Sequence, residues 1–189
     1  MKSSKVYLRK KSFLIRKRKY LSIKKFNYNL IFKLIRKHFN RKKITIAGYY
    51  PSNYEVNILK FLKQAKRYNF KIVLPVLKSS SIMHFKKWVF RNPLYVNRFG
   101  MLEPKNSKSN IVPDLVLVPL LSFDNKLNRI GYGKGYYDRA LKKISNIKKK
   151  SIFVGIAFSF QKVAKVPINR HDVKLDYIFT DRGIISSNY

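Results

Sequence analysis

The chain of 189 residues contains no cysteine. Disulfides and thiolate metal sites are excluded, and a reducing cytosol suits such a chain. Acids are scarce: 8 Asp plus Glu stand against 43 Lys plus Arg, a formal net charge of +35. Also lacking is any uninterrupted apolar span of the ~18 residues that a membrane helix needs. The N-terminus is basic, with short apolar runs broken by Lys and Arg and no secretory cleavage pattern. A cytoplasmic protein without a membrane partner is therefore expected. What is present argues against disorder: 46% of residues are hydrophobic and 15% aromatic. The length suits one compact domain, residues 1–189, with a real core.

The charge admits two readings. A nucleic-acid or anionic-membrane partner is one. The other is compositional: Lys, Asn, Ile, Tyr and Phe abound while Ala and Gly are scarce, as AT-rich codons produce. The basic residues are spread through the chain and its helices, which favours the compositional reading and no specific nucleic-acid partner. Against that background the acids stand out. They are Glu55, Glu103, Asp114, Asp124, Asp138, Asp172, Asp176 and Asp181, with none in the first quarter of the chain. In so basic a protein each carboxylate is expected to have an assigned task.

Lys5 to Asn40 carries apolar residues at three- and four-residue spacings and predicts two helices, broken near Leu21–Ser22 or Asn27. Ile44–Tyr50 predicts a strand, Pro51–Ser52–Asn53 a turn capping a helix, and Glu55–Tyr68 that helix. Lys71–Leu77 and Leu115–Pro119 predict buried strands, and Ile82–Phe90 a looser one. Residues 91–110 are loop-like, Tyr136–Ile147 a helix, Ser151–Phe158 a strand, and Tyr177–Thr180 a short last strand. Apolar strands alternating with helices predict an α/β fold: an open, mostly parallel, Rossmann-like sheet with helices on both faces and the N-terminal helices packed on it.

The densest pattern is Arg129 to Leu141, RIGYGKGYYDRAL, just beyond the apolar run Leu115–Phe123. Gly131, Gly133 and Gly135 remove Cβ atoms, so backbone N–H groups can approach an anion. Lys134 and Arg129 add full charges, and the helix opening at Tyr136 adds its dipole. The loop is neither a Walker A loop nor a GxGxxG fingerprint, so a plain strand-to-helix connection remains the alternative to a phosphate site. Asp138, in the first helical turn, suits either the dipole or a Mg²⁺ ion beside polyphosphate. Asp172, in a loop, is a turn residue or a second Mg²⁺ ligand. Glu55 is a helix-start acid or an acceptor for the N–H groups of a heterocycle. Lys5 and Arg9 share one helix face, for solvent or for an anion. His38, His84 and His171 show no metal-ligand spacing.

The order of these motifs over nearly the whole chain resembles the 5-formyltetrahydrofolate cyclo-ligase (methenyltetrahydrofolate synthetase) family. The resemblance runs through Lys5 to Arg9, Tyr49-Tyr50-Pro51 to Glu55, Leu74-Pro75, Met83-His84-Phe85, and Gly100, Glu103 and Pro104. Its most specific block is Asp114 to Pro119, Phe123-Asp124, then Arg129 to Arg139. Val154-Gly155-Ile156-Ala157-Phe158, Gln161, Pro167, His171-Asp172, Asp176 and Thr180 complete it. Two departures are Leu127, where the family often has Gly, and Ile130, where it usually has Leu.

The resemblance implies an ATP-dependent ring closure. The formyl oxygen of 5-formyltetrahydrofolate attacks the γ-phosphate and ADP leaves, N-10 closes the ring, and phosphate leaves to give 5,10-methenyltetrahydrofolate. It assigns Lys5, Arg9, Arg129, Ile130, Gly131, Tyr132, Gly133, Lys134, Gly135, Tyr136 and Tyr137 to ATP. Tyr50, Glu55, Tyr132, Gly133, Lys134, Gly135 and Tyr136 fall to the folate, and Asp138 and Asp172 to Mg²⁺. Lys134 and Arg129 become the catalytic cations, since phosphoryl transfer needs positioning and charge neutralisation. A monomer is expected. The alternatives are a basic nucleic-acid-binding module, which has no need of the Arg129–Asp138 loop, and a related phosphoryl-using enzyme with another substrate.

Overall fold

A computed structural model describes residues 4–187 apart from 24, 41, 79–81 and 106–109. Most of the polar stretch expected as loop at 105–110 thus lies outside the described residues. The chain forms α1 (Lys5–Lys19), α2 (Asn29–Phe39), β1 (Thr45–Ala47), α3 (Leu59–Arg67), β2 (Lys71–Leu77), β3 (Met83–Lys87), β4 (Leu94–Val96) and β5 (Leu102–Pro104). There follow β6 (Leu115–Pro119), β7 (Ser122–Phe123), β8 (Arg129–Ile130), α4 (Tyr136–Ile147), β9 (Ile152–Ile156), a 3₁₀ turn (Ser159–Gln161), β10 (Tyr177–Thr180) and β11 (Gly183–Ser186).

Seven strands form one sheet in the order β11-β10-β9-β6-β1-β2-β3. The five central strands are parallel, and both edges, β11 and β3, are antiparallel. β6 sits in the middle, and its LVLV is fully buried. A strand covered on both faces reads as an unbroken apolar run, not as an alternation. Its side chains still divide between two layers. Leu115 and Leu117 meet α2 and α3 through Ile35, Phe61 and Leu62; Val116 and Val118 meet α4 through Ala140, Leu141 and Ile144. Each fully buried Leu in these layers stabilises the fold by about 1.5–3 kcal/mol relative to exposure. Of the two N-terminal helices, α2 covers the sheet. α1 lies over the strand-end loops, with Leu8 in a small cluster with Leu121, Ile130 and Val166.

Several expected boundaries move. β1 is only three residues long. The helix expected from Glu55 starts at Leu59, because Asn53 and Tyr54 adopt positive φ (47° and 64°) and turn the chain first. The Pro51–Asn53 turn therefore does not cap α3; the Asn57 side chain accepts from Leu59 N instead. The loop at 91–110 contains the β4–β5 hairpin, and Tyr177–Thr180 is followed by one more strand, β11.

The scarce acids are used uniformly. All eight carboxylates accept at least one backbone N–H: Glu55 from Ser52, Glu103 from Leu77, Asp114 from Thr45, Asp124 from Lys126, Asn128 and Val166, Asp138 from Val173, Asp172 from Asn169, Asp176 from Phe153, and Asp181 from Ser159. Such charge-assisted bonds are stronger than neutral ones and fix loops that have no ladder partner.

Candidate functional site

From β1 the chain moves to β2 on one side of the sheet, and later places β6, β9 and β10 on the other. Loops leaving β1 and β6 therefore diverge, and the crevice between their carboxyl ends is where an open α/β sheet binds ligands. Three segments meet there: the turn after β1, the β7–β8 hairpin with its glycine loop, and α1 across both.

The glycine loop hands directly into α4. Gly135 is its N-cap at φ 67°, and Asp138 lies in its first turn. Gly133, at φ 94°, has a second reason to lack a side chain: a Cβ there would stand 2.9 Å from Cζ of Arg9. Arg9 lies across the loop, its Nε donating to the Gly131 carbonyl at 3.1 Å. Lys134 is exposed at the loop tip, and among the described residues its ammonium has no carboxylate within ion-pair distance. Tyr136 is buried beneath Phe99, with the Arg139 guanidinium over its ring. Burial pushes the Tyr137 phenol well above its ordinary range. Ile130 belongs to the apolar patch that seats Leu8 of α1.

Two carboxylates from distant parts of the sequence converge beside the loop. Asp138 Oδ1 accepts from Arg129 Nη2 at 2.6 Å and from Val173 N at 3.1 Å, while Arg129 Nη1 donates to the Val173 carbonyl. Asp172, next in chain to Val173, accepts from Lys5 Nζ and from Asn169 N at 2.7 Å, both on Oδ2. Lys5, Arg129, Asp138 and Asp172 thus form one cluster, stitched by the Val173 peptide. Each carboxylate spends a single oxygen on these bonds and keeps the other. Arg129, buried, has its guanidinium committed to this frame.

Glu55 sits in the turn after β1, its Oε2 accepting from Ser52 N at 3.0 Å and its Oε1 lying 3.4 Å from the Tyr132 hydroxyl. Burial raises the carboxyl above its ordinary value, against the pull of the Ser52 N–H, Arg16 and Tyr132. Tyr132 is raised to about 12 by burial and then by Glu55. Beside Glu55 a groove of about 1100 Å³ opens between the α1–α2 connection and residues 51–60, with Tyr20, Phe26, Tyr28, Tyr54 and Phe158 in its walls. Tyr50 is outside that lining and packs edge-on against Trp88.

The structure therefore gathers Lys5, Arg9, Arg129, Lys134, Asp138 and Asp172 around the glycine loop, and joins Glu55 to it through Tyr132. Tyr50 lies apart from this network. Sequence reasoning missed the aromatic groove and Arg16, whose guanidinium bonds Tyr132. The signal for Arg16 was available: Leu8, Ser12 and Arg16 repeat every four residues and are the buried face of α1.

Comparison with known proteins shows the family. The model of the 5-formyltetrahydrofolate cyclo-ligase family matches residues 1–181. The chain is 33% identical over 141 residues to the 5-formyltetrahydrofolate cyclo-ligase of Haemophilus influenzae, covering 71% of this chain and 74% of that one. It is 30% identical over 142 residues to the enzyme of Escherichia coli K12, covering 72% and 77%. In structure it is similar to the 5,10-methenyltetrahydrofolate synthetase of Aquifex aeolicus, with TM-score 0.74 and 26% identity over 98% of this chain and 93% of that one. The synthetase of Mycoplasma pneumoniae superimposes with TM-score 0.65 and 25% identity, over 98% and 99%.

Proposed function

Because the chain belongs to the 5-formyltetrahydrofolate cyclo-ligase family, we propose that its glycine loop receives the phosphates of ATP and that Glu55 anchors the folate. The activity is that of the family: 5-formyltetrahydrofolate is closed to 5,10-methenyltetrahydrofolate, with ATP as cosubstrate. The observation that carries the residue assignment is Arg9 lying across Gly131 and Gly133. It brings the basic face of α1, with Lys5 and Arg9, to the loop that carries Lys134.

Lys134, exposed at the loop tip, neutralises charge on the transferring phosphoryl group, and the α4 N-terminus adds its dipole. Arg129 acts by holding Asp138 in place and by its field. Asp138 and Asp172 suit Mg²⁺: they are hard oxygen donors, each with an oxygen left over, and no cluster of three metal-binding side chains exists among the described residues. One or two carboxylates completed by phosphate oxygens is the usual Mg²⁺ set. When bound, the ion supplies charge neutralisation at the phosphates. Glu55, with Tyr132, orients the pterin so that the formyl oxygen faces the γ-phosphate. Orientation of this kind contributes as much as added chemistry to a phosphoryl transfer.

The test is direct. Purified protein, 5-formyltetrahydrofolate, ATP and Mg²⁺ are mixed, and the ultraviolet absorbance of the methenyl product is followed. Folded protein giving no product above the enzyme-free control overturns the assignment. Turnover that survives Lys134→Ala at the wild-type rate removes the phosphate role from the loop.

A further inference from the structure

Arg16 is 1% exposed, yet it has no carboxylate within ion-pair distance among the described residues. Its Nη1 donates to the Leu120 carbonyl at 3.0 Å, and its Nη2 to the Asn53 carbonyl at 2.8 Å and to the Tyr132 hydroxyl. The guanidinium also lies 5.5 Å from the centre of the Tyr132 ring. Among the described residues its Nε is buried without an acceptor. A buried cation with no carboxylate in direct contact, and with one donor unmatched among the described residues, is a poor way to stabilise a core; apolar residues of similar size commonly do as well or better. Local rules broken in this way are typical of functional positions.

The three acceptors give this cation its role. Leu120 follows β6, Asn53 follows β1, and Tyr132 is in the glycine loop, so one planar fork ties together the three segments that form the crevice. Tyr132 then passes the constraint on, since its hydroxyl also reaches Glu55. We propose that Arg16 is a positioning residue, which locks Tyr132 and the Asn53 turn into one frame so that Glu55 and the glycine loop meet the folate as a unit. The proposal rests on the placement of formylfolate at Glu55.

The groups facing Glu55 are Arg16, Tyr132, and the buried phenols Tyr49 and Tyr137. Both of those phenols are held above their ordinary range by burial and stay neutral, so Arg16 is the cation that opposes the burial of Glu55. The chain has only two glutamates, Glu55 and Glu103. Carbon-13 labelling of glutamate therefore gives two side-chain carboxyl signals in an NMR titration, assigned by Glu55→Gln.

In Arg16→Gln the Glu55 midpoint moves up while Glu103 stays. In turnover, KM for 5-formyltetrahydrofolate rises about tenfold and KM for ATP stays within about twofold, and adding Glu55→Gln costs little more, because linked residues are non-additive. Equal losses for both substrates, a fully additive double variant, or an unmoved Glu55 signal overturns the proposal. Should Arg16→Gln fail to fold, Arg16→Lys serves: it keeps the charge and loses the fork, so the Glu55 midpoint stays near wild type while the folate KM rises. A folate KM equal to wild type in Arg16→Lys, too, overturns it. If wild-type protein turns over no formylfolate, the family reading fails, whereas the titration still decides whether Arg16 governs Glu55.

Discussion

Gly133→Ala separates the two demands that the glycine loop makes on its residues. The backbone there has φ 94°, and a Cβ would stand 2.9 Å from Arg9 Cζ and 3.1 Å from both Nε and Nη1. Holding a side chain at such a φ costs about 1–3 kcal/mol. Moving Arg9 aside breaks its bond to the Gly131 carbonyl, worth about 1.5–3 kcal/mol for a charged donor and nearer 1 kcal/mol at this partly exposed position. The two together destabilise by about 3 kcal/mol, which for a chain of this size lowers the melting temperature by about 6–12 °C. Gly131 is the matched control: its φ is not in the left-handed region and an added Cβ has open space within 4 Å. Gly131→Ala should leave stability within about 0.5 kcal/mol of wild type, so any rise in its KM for ATP reports phosphate contact alone. The assays are thermal unfolding of all three proteins and KM for ATP. Gly133→Ala with wild-type melting temperature and wild-type KM refutes the reasoning.

Three other outcomes are expected. Asp138→Asn keeps an acceptor for Val173 N but leaves the buried Arg129 without its counter-charge, so it destabilises by about 2–3 kcal/mol, and weakens the response to Mg²⁺ by about 10–100-fold; an unchanged Mg²⁺ titration of turnover removes Asp138 from the metal. Glu55, whose folded carboxyl is raised chiefly by burial, binds its proton more tightly folded than unfolded, so its contribution to stability falls as pH rises from the ordinary carboxylate range through the raised folded value. Glu55→Gln flattens that segment of a melting-temperature profile, and a variant profile parallel to wild type contradicts the shift. Leu127 is fully buried at φ 63°; Leu127→Gly relieves about 1 kcal/mol of strain but forfeits about 2–5 kcal/mol of core packing, so denaturant unfolding shows a net loss. A gain in stability would refute that balance.

The elements whose bounds were legible in sequence are those with the plainest local cause. Lys71–Leu77, Leu115–Pro119, Tyr136–Ile147 and Tyr177–Thr180 occur in the fold over the residues expected. Three are apolar runs buried on both faces, and one is a helix with a glycine cap and an apolar stripe. The hairpins β4–β5 and β7–β8 are two or three residues per strand, too short for any period to show, and their pairing depends on contacts made elsewhere. The start of α3 was misplaced because Tyr54 takes a positive φ that nothing in its side chain favours. In the site, the scarcity of acids drew attention to Glu55, Asp138 and Asp172. No such contrast marked Arg16, one of 43 basic residues. Leu127 shows the reverse: at a position where the family often has Gly, the left-handed turn supplies the reason, and the buried leucine the compensation.

α1 is fastened to the rest of the molecule by few apolar contacts, chiefly Leu8 on Leu121, Ile130 and Val166. Phe13 adds a ring contact with Tyr54, and the polar attachments include Lys5 to Asp172, Arg9 to Gly131, and Arg16 to Leu120, Asn53 and Tyr132. Attachment and recognition therefore draw on the same side chains. A ligand that engages Lys5 and Arg9 opposes detachment of this helix by about 2.7 kcal/mol at a hundred times its dissociation constant. Amide exchange along residues 5–19 thus becomes a gauge of site occupancy, with the first helix of the chain recording whether the enzyme is loaded.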